Sequence, residues 1–480
     1  MSVAFSLSVK YKYLLKIQHI DIKNAEVKMN EIEKYNKIIS ENNHQNQNKK
    51  TQNPKKFLFV TIDNLIANIA WRIKIEGHQV KYYVKNPDDK EVGMGFVDMI
   101  EDWKKEVDWA DIIVFDDVLG QGAKAKELRD KGKLVVGGTP YTDRLEDDRN
   151  FGQEELKKLG INILPSRIFT SFEEAIQFVK ENPDRYVLKP CGEAANIKGL
   201  LFIGEEKDGR DVIQVLGDYH KAWSKKIPSF QLQKWIFGVE IAVGAFFNGK
   251  SFIYPINVNF EHKKLFPGDL GPSTGEMGTS MFWSCPNKLF NMTLKKMEPK
   301  LAEEGYIGYI DLNCIVNSRG IYPLEFTSRF GYPCIFIQEE GMLSPIGDFL
   351  YGLAQGNSPN LKVKSGFQIG IRIVVPPFPF TDKETFEVKS KDSIIYFKKP
   401  TEGVHIEDVK LVNDEWVVTG TSGVVLVVCG CGQTMQQARH QAYQRIKNIS
   451  IPHMYYRDDI GESWSEDSDK LHTWGYLIEQ

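Results

Sequence analysis

Two acidic residues stand in segments that otherwise read as apolar β-strands. Asp311 lies in the stretch 305–313 and Glu325 in the stretch 322–327, with the turn 317–320 between them. An antiparallel hairpin of this length would set the two carboxylates side by side. Because burying a bare charge is costly, each carboxylate must be paired or bind a cation. At this point a magnesium site and ordinary salt bridges are equally open interpretations.

Two lysines flank a loop that contains glycine. Lys189 ends a strand-like segment, and Lys198 stands near the far end of the loop 190–199. The same loop contains Gly192 and Gly199. Two ammonium groups and the N–H groups of the loop could clamp nucleotide phosphates between them. A lysine beside a glycine loop is more often part of a solvated turn, so this signal is weak without the acidic pair.

The elements that must position these residues begin at residue 56. From there, runs of four or five apolar residues alternate with stretches of helix length, starting with 57–60 and continuing to 134–136. Such alternation is typical of a parallel sheet flanked by helices. We therefore predict the α/β class, with an N-terminal α/β substrate domain at 56–145.

The rest of the chain divides into two further regions. Residues 146–368 contain the acidic pair and both lysines, and they include a smaller lobe at about 166–235 that would cover a nucleotide. Within this region the glycine-rich stretch 267–278 reads as a long loop. Residues 369–480 become rich in strands again, which predicts a small C-terminal α/β domain and tail.

Composition excludes several kinds of partner. The 480 residues include 61 basic and 64 acidic side chains, interleaved to a formal net charge of -3, so no field of one sign is available for nucleic acid or an anionic membrane. No apolar run approaches the ~20 residues that span a bilayer. Residues 1–55 include a polar tract with nothing apolar to bury and are predicted to be a largely disordered extension. We expect a cytoplasmic monomer or homodimer acting on small molecules.

Four segments, taken in order, resemble the motifs of one enzyme family. The segments FEHKKL at 260–265, GDLGPSTGEMG at 268–278, GYIG at 305–308 and LEFTSRFG at 324–331 are similar to the DHKR, GPNTGGMG, YxG and EFNxRFGDPE motifs of glycinamide ribonucleotide synthetase. That family belongs to the ATP-grasp superfamily. The resemblance extends over roughly 56–462 and implies an ATP-grasp fold.

The resemblance implies a chemistry. In that family ATP phosphorylates glycine, and the acyl phosphate is attacked by the amine of phosphoribosylamine, a step of purine biosynthesis. It therefore implies an ATP-dependent ligase that uses ATP and Mg²⁺ (or Mn²⁺) and that takes an amino acid and an amine as substrates.

The resemblance also implies roles for individual residues. ATP would be bound by Lys189, Lys198, Gly192 and Gly199, with Glu240 at the ribose. Magnesium would be held by Glu325, Asp311 and Thr327, although the family usually has a tyrosine where Asp311 stands. Arg329 would stabilise the charge that develops on the reacting groups, with Lys263 and Asp269 as further catalytic residues. The acceptor side would be lined by Asp269, Ser273, Thr274 and Gly275.

The match fails mainly on the acceptor side. The family's glycine-rich GxGGREHA loop, which contacts the phosphate of phosphoribosylamine, is replaced by the glycine-free stretch 61–68. The GPExPL motif is replaced by 115–120, in which Asp116 and Asp117 would repel a phosphate. The same two acids equally suit the cap of a helix that starts near Gly120.

Three hypotheses therefore stay open. The first is a divergent glycinamide ribonucleotide synthetase, and the second is an ATP-grasp ligase that activates an amino acid but uses a different amine. The third is a nucleotide-binding protein without turnover, against which the retention of both magnesium acids and Arg329 argues. A cationic or N–H-lined pocket near 61–68 would favour the first hypothesis over the second.

Overall fold

The computed structural model describes residues 51–191, 194, 200–399 and 402–479. Residues 1–50, which make up most of the predicted extension, lie outside the described residues. So do three of the predicted nucleotide-binding residues, Gly192, Lys198 and Gly199.

The N-terminal region is built on a five-stranded parallel sheet with the strand order β3-β2-β1-β4-β5. Its strands are apolar on both faces, because Phe57 and Phe59 pack on one side with helix α1 while Leu58 and Val60 pack on the other with helix α2. The elements are β1 (Lys56–Thr61), α1 (Ala67–Ile75), β2 (Gln79–Val84), β3 (Met99–Ile100), β4 (Ile112–Phe115), α2 (Gln121–Asp130) and β5 (Val135–Val136).

Two helices lead from this sheet into a smaller lobe with a four-stranded antiparallel sheet, ordered β6-β9-β7-β8. The lobe has its own apolar core between this sheet and two helices. As the sequence predicts, Ser171 begins the first of them, its hydroxyl accepting the N–H of Glu174 at 3.2 Å. The elements are α3 (Pro140–Asp147), α4 (Arg149–Lys158), β6 (Ser166–Phe169), α5 (Phe172–Glu181), β7 (Tyr186–Pro190), β8 (Phe202–Ile203), α6 (Arg210–Trp223) and β9 (Phe230–Lys234).

The centre of the molecule is an eight-stranded sheet with the order β14-β13-β10-β11-β12-β15-β20-β17. All of its pairings are antiparallel. The first elements of this part are β10 (Val239–Asn248), β11 (Ile256–Phe266), β12 (Leu270–Ser284), α7 (Lys288–Met292), α8 (Glu298–Glu304), β13 (Ile307–Asn317), β14 (Gly320–Thr327), α9 (Cys334–Gly341) and α10 (Ile346–Ala354).

The C-terminal region supplies three further strands, β15, β20 and β17, to this sheet and closes with helices. Its elements are β15 (Phe367–Val374), α11 (Lys383–Lys389), β16 (Tyr396–Phe397), β17 (Val404–Ile406), β18 (Val409–Val412), β19 (Glu415–Val418), β20 (Val424–Gly432), α12 (Met435–Ile446), β21 (Ile449–Ser450) and α13 (Trp464–Thr473). The mixture of one parallel and several antiparallel sheets confirms the predicted α/β class. None of the helices in the described ranges is long and apolar enough to cross a membrane.

The predicted long loop at 267–278 is wrong for most of its length. A single helical turn, Pro267–Asp269, is followed directly by the 15-residue strand β12. Pairing with β11 on one side and β15 on the other imposes the extended conformation despite the glycines. Gly278 makes the second pairing possible, since a Cβ atom there would lie 2.7 Å from the carbonyl oxygen of Gly370.

Candidate active site

The central sheet carries an apolar face and a polar face. In β13, Ile310 and Leu312 belong to the core beneath the sheet, while Asp311 and Asn313 point the other way, as the two-residue period of a strand requires. The neighbouring strands keep the same alternation. The polar face therefore gathers charged side chains from β10, β11, β13 and β14 above one continuous core.

Lys263 on β11 is the centre of this polar face. Its Nζ lies 3.1 Å from Oε1 of Glu240, 3.3 Å from Oε2 of Glu261 and 3.2 Å from Oε1 of Glu325. Burial alone would lower the pKa of Lys263, but Glu240, Glu325 and Glu261 together raise it well above its usual value. The sequence-predicted residues Lys263, Glu240 and Glu325 are thus brought together by direct contact.

Glu325 is held from two sides. Arg149, at the first position of helix α4, places Nη2 3.1 Å from Oε2 of Glu325, so this carboxylate has a separate cation on each oxygen. The Lys263 ammonium, acting against the effect of burial, holds the pKa of Glu325 far below its usual range. Asn313 donates to Glu240 at 3.0 Å and to Glu261 at 3.3 Å, which fixes the remaining two carboxylates.

The charged side chains in contact around Lys263 form a group that we call the Lys263 cluster: Lys263, Glu240, Glu261, Glu325 and Arg149. Lys189 lies near the end of strand β7 of the smaller lobe and faces this cluster. Burial, together with the nearby charge of Arg149, lowers the pKa of Lys189 to about 8, while Glu325 and Glu240 oppose this shift. A half-buried lysine surrounded by both signs of charge can bind an incoming anion without a large loss of solvation.

The two acids of the hairpin share a face but are not directly opposite each other. Asp311 pairs in register with Thr327, and Glu325 pairs with Asn313, so the carboxylates are diagonal neighbours one pair apart. The turn predicted at 317–320 is confirmed by the pairing of Asn317 with Gly320. The expectation that the acids stand side by side is therefore wrong by two residue positions along the strand, which keeps both acids on one face.

Asp311 is a buried carboxyl group with spare binding capacity. Burial first, and the charge of Glu261 second, raise the pKa of Asp311 to about 8. No group in the described part of the chain donates to its Oδ1. An unpaired oxygen of this kind suits a cation ligand. Within the same described part, no group of three or more His, Cys, Asp or Glu side chains could hold a metal ion.

Arg329 follows strand β14 and faces the N-terminal region. Its Nε lies 3.1 Å from Oε1 of Glu146 and 3.6 Å from Oδ1 of Asp117, and its Nη1 donates to the backbone oxygen of Phe330. Burial acts to lower the pKa of Arg329, but Glu146 and Asp117 raise it above the ordinary arginine value. Arg329 therefore joins the hairpin to the two N-terminal segments that carry these acids.

The stretch 61–68 is filled by its own side chains. The Thr61 hydroxyl donates to Oδ2 of buried Asp116 at 2.6 Å and accepts the N–H of Asn64 at 3.0 Å. The Asn64 amide donates to the backbone oxygens of Asp89 and Val92 at 2.9 and 2.7 Å. The hydroxyl, amide and N–H groups that could otherwise bind a phosphate therefore form hydrogen bonds within and around the turn.

The alternative role for Asp116 and Asp117 as helix caps is wrong. Helix α2 begins after Gly120, and no described side chain caps it at that position. The N–H of Gly122 in its first turn donates instead to Oδ2 of Asp143 at 2.9 Å. Burial raises the pKa of Asp116 well above its usual value, with the Asp117 charge adding to the effect.

The predicted acceptor-side residues occupy different surroundings. Thr274 is buried, and its hydroxyl donates to the backbone oxygen of Lys263 at 2.9 Å, while Ser273 pairs with Lys264 across the β11–β12 ladder. Asp269 is largely exposed and pairs with Nη1 of fully buried Arg457 at 2.9 Å. The structure thus links Asp269 to the C-terminal region, and its catalytic role stays a prediction.

Several residues of the site were not singled out from the sequence. Glu261 and Arg149 contact the Lys263 cluster, and Glu146 pairs with Arg329. The signal for Glu261 was present, because it stands two positions before Lys263 in a strand and therefore on the same face. Arg149 and Glu146 lie on helices far away in sequence, and no local pattern relates them to the hairpin.

Two comparisons with protein families identify the architecture. Residues 147–334 match the model described as "Phosphoribosylglycinamide synthetase, ATP-grasp (A) domain", and residues 378–463 match "Phosphoribosylglycinamide synthetase, C domain". The first matched segment contains every member of the Lys263 cluster. The chain is a phosphoribosylglycinamide synthetase-like ATP-grasp protein. The resemblance stated from sequence motifs is thereby confirmed.

Several curated relatives of this ATP-grasp protein share a name. A phosphoribosylamine–glycine ligase of Thermotoga maritima is 25% identical over 410 residues, covering 82% of this chain and 95% of the relative. The protein of the same name from Clostridium acetobutylicum is 24% identical over 350 residues, covering 70% of this chain and 80% of the relative. The similarity is low in identity but extends over most of both chains.

Solved structures show the same fold. The crystal structure of the Thermotoga maritima phosphoribosylamine–glycine ligase superposes with a TM-score of 0.63 at 21% identity, covering 84% of this chain and all of the other. A biotin carboxylase domain of the 2-oxoglutarate carboxylase of Hydrogenobacter thermophilus, in complex with MgADP, ADP and bicarbonate, gives 0.59 at 15% identity over 90% of this chain. The predicted ATP-grasp fold is confirmed.

Proposed function

We propose that this protein is an ATP-dependent carboxylate–amine ligase that joins glycine to phosphoribosylamine, the reaction named by its relatives, in purine biosynthesis. The observation that carries the proposal is the Lys263 cluster, in which strands β10, β11 and β14 and helix α4 bring three carboxylates and two cations together. The names of the curated relatives and of the matched families support the choice of reaction.

The reaction proceeds in two steps. A carboxylate oxygen of the amino acid attacks the γ-phosphorus of ATP and ADP leaves, which produces an acyl phosphate. The amine nitrogen then attacks the acyl carbon, phosphate leaves and the nitrogen loses a proton. Lys189 binds the transferred phosphate group, and Arg329 faces the charge that develops on the acyl oxygen. Lys263 holds Glu240 and Glu325 in fixed positions, and Glu240 reaches the nucleotide ribose.

Glu325 and Asp311 are the candidate ligands for a magnesium ion, which would compete with Lys263 and Arg149 for the oxygens of Glu325. Mg²⁺ usually takes one or two carboxylates from a protein and completes its coordination with phosphates and water. Oδ1 of Asp311, to which no described residue donates, is free to serve as a ligand, and the Thr327 hydroxyl lies on the strand position opposite. When bound, Mg²⁺ (or Mn²⁺) neutralises the charge of the ATP phosphates.

The test is release of ADP and phosphate by the purified protein with ATP, magnesium and glycine, with and without freshly generated phosphoribosylamine. Release that requires phosphoribosylamine is the expected result. A matched control is Glu155→Gln, which alters a carboxyl group paired with Lys158 outside the cluster and should behave like the unaltered protein. Absence of any amino-acid-dependent ADP release would contradict the ligase assignment as a whole.

A second candidate is the same ligase chemistry with a different amine. The observation that favours it is the turn at Thr61, where Asn64 and Asp116 occupy the groups that would otherwise meet a phosphate. The nearby cation, Arg329, is already paired with two acids. An acceptor without a phosphate would avoid the repulsion that these carboxylates exert.

Competition experiments separate the two candidates. Ribose 5-phosphate should inhibit the phosphoribosylamine-dependent reaction if the first candidate is correct, because it occupies the same sugar-phosphate site. If the second is correct, ribose 5-phosphate has no effect and a panel of phosphate-free amines restores ADP release with glycine. Either result leaves the activation of the amino acid as the common first step.

A further inference from the structure

Glu276 on strand β12 is a buried carboxyl group that none of the ion pairs described above uses. Only 6% of the residue is exposed, and no group in the described ranges donates to its Oε1. The corresponding position of the GPNTGGMG motif is glycine, so this carboxyl group is an addition to the site. A buried, unpaired carboxylate is costly unless a partner arrives.

The cations closest to Glu276 are already committed. Arg372 donates from Nε and Nη2 to Glu407 at 3.1 and 2.8 Å, and both of these side chains are buried. Its Nη1 donates to the backbone oxygen of Glu276 at 3.0 Å, which fixes the position of the residue. Lys263, the other nearby cation, contacts three other carboxylates. Neither cation takes Oε1 of Glu276.

Glu276 borders the Lys263 cluster from the neighbouring strand. Its strand β12 pairs with β11, which carries Glu261 and Lys263, and the hydroxyl of Thr274, two residues away, donates to the backbone oxygen of Lys263 at 2.9 Å. The charges of Glu261 and Lys263 act on the Glu276 carboxyl group. In the sheet order β14-β13-β10-β11-β12, Glu276 lies on the side of the cluster away from β14 and Arg329.

We propose that Glu276 binds the α-ammonium group of the amino acid whose carboxylate is activated, an inference that rests on the proposed ligase function. The substrate carboxylate must meet the γ-phosphate near the proposed metal ligands Asp311 and Glu325. The α-ammonium group is only two bonds from that carboxyl carbon, so its partner must be a carboxylate that borders the same cluster, and Oε1 of Glu276 has no donor among the described residues. Glu276 then selects α-amino acids over carboxylic acids that lack the cation.

Hydroxylamine provides the test, since it traps an acyl phosphate as a hydroxamate without any natural acceptor. Hydroxamate formation is measured with ATP and either glycine or glycolate, in which a hydroxyl replaces the ammonium group. The unaltered protein should have a far lower KM for glycine than for glycolate. Glu276→Gln should raise the glycine KM by about 10- to 100-fold, as expected for loss of a charge-assisted hydrogen bond, and should leave kcat, the ATP KM and the glycolate KM nearly unchanged.

The controls distinguish a failure of the inference about Glu276 from a failure of the proposed ligase function. Glu155→Gln should match the unaltered protein in every constant. The inference is overturned if the ratio of the glycine KM to the glycolate KM is the same in Glu276→Gln as in the unaltered protein. It is also overturned, without any variant, if the unaltered protein uses glycine and glycolate equally well. Absence of hydroxamate with glycine, with glycolate and with every other amino acid tried would instead refute the ligase function itself.

Discussion

The nucleotide end and the acceptor end of this active site are both rich in charge, but they balance it differently. At the nucleotide end, Glu240, Glu261 and Glu325 share Lys263, and Glu325 has Arg149 as a second partner. The Lys263 ammonium holds the pKa of Glu325 far below its usual range, and Lys189 faces the same carboxylates.

At the acceptor end, one arginine faces a larger number of acids. Arg329 pairs with Glu146 and Asp117. Burial and the charge of Asp117 raise the pKa of Asp147, and burial together with Asp63 raises that of Asp89 to about 6. These acidic groups outnumber the one arginine that faces them, so a phosphate at this end would meet more acids than cations.

The two ends serve different parts of the proposed chemistry. ATP and magnesium impose the same demands on any ATP-grasp ligase, namely cations for phosphates and oxygens for the metal. The acceptor imposes demands that depend on its own charge. The acidic surroundings of Arg329 therefore make the acceptor, and not the activation step, the point on which the two candidate functions differ.

The largest expected effect follows from removing charge at the nucleotide end. Glu325→Gln removes a proposed metal ligand and leaves Arg149 and part of the Lys263 charge unpaired, so kcat should fall by ~1,000-fold or more. ADP release measures the loss, and circular dichroism should show an intact fold. Near-normal turnover in this variant would mean that Glu325 does not hold the metal.

The next largest effect is expected where the two ends meet. Arg329→Lys keeps the positive charge but removes the planar guanidinium and its several N–H donors. We expect kcat to fall by about 100-fold with little change in the ATP KM. Steady-state kinetics and thermal melting should be recorded together. A lowered melting temperature with unchanged kcat would show that Arg329 only fastens the hairpin to Glu146 and Asp117.

A smaller effect should appear in the pH dependence of ATP use. The pKa of Lys189 is lowered to about 8, so its ammonium group is charged below pH 8 and loses its proton as the pH rises through that value. The kcat/KM for ATP should therefore fall by about 10-fold between pH 7.5 and 9, because this profile reports the free enzyme. Lys189→Arg, which remains charged throughout, should abolish this decline; a decline that persists in the variant would assign it to another group.

The smallest effect sharpens the description of the acceptor end. Asp117→Asn removes one negative charge beside Arg329, and ribose 5-phosphate should then bind about 3- to 10-fold more tightly, as expected for one charge at several ångströms in a partly screened site. Inhibition constants before and after the substitution provide the measurement. An unchanged constant would show that the acids do not determine whether a phosphate binds.

Much of the fold could be predicted because the signals are local. The parallel sheet is visible in short apolar runs, and the hairpin of Asp311 and Glu325 is visible in two strands with a four-residue turn. Strand β12 was missed because its extended shape depends on β11 and β15, and its glycines by themselves favour a loop.

The candidate site was predictable in its centre and less so at its edges. Motif order identified Lys263 and Glu325, and strand alternation could have added Glu261. The pairing of Asp269 with Arg457 joins residues 188 positions apart, and the closure of the turn at Thr61 by Asp116 joins residues 55 apart. Contacts of this kind depend on how separate elements pack, which no short stretch of sequence specifies.

The most direct test of the central claim is positional isotope exchange in ATP labelled with ¹⁸O at the β,γ-bridge. If the nucleotide end activates an amino acid independently of the acceptor, the label should scramble in the presence of magnesium and glycine without any amine. Absence of scrambling with glycine and with every other amino acid, under conditions where ATP binds, would contradict the account of this protein as an acyl-phosphate-forming ligase.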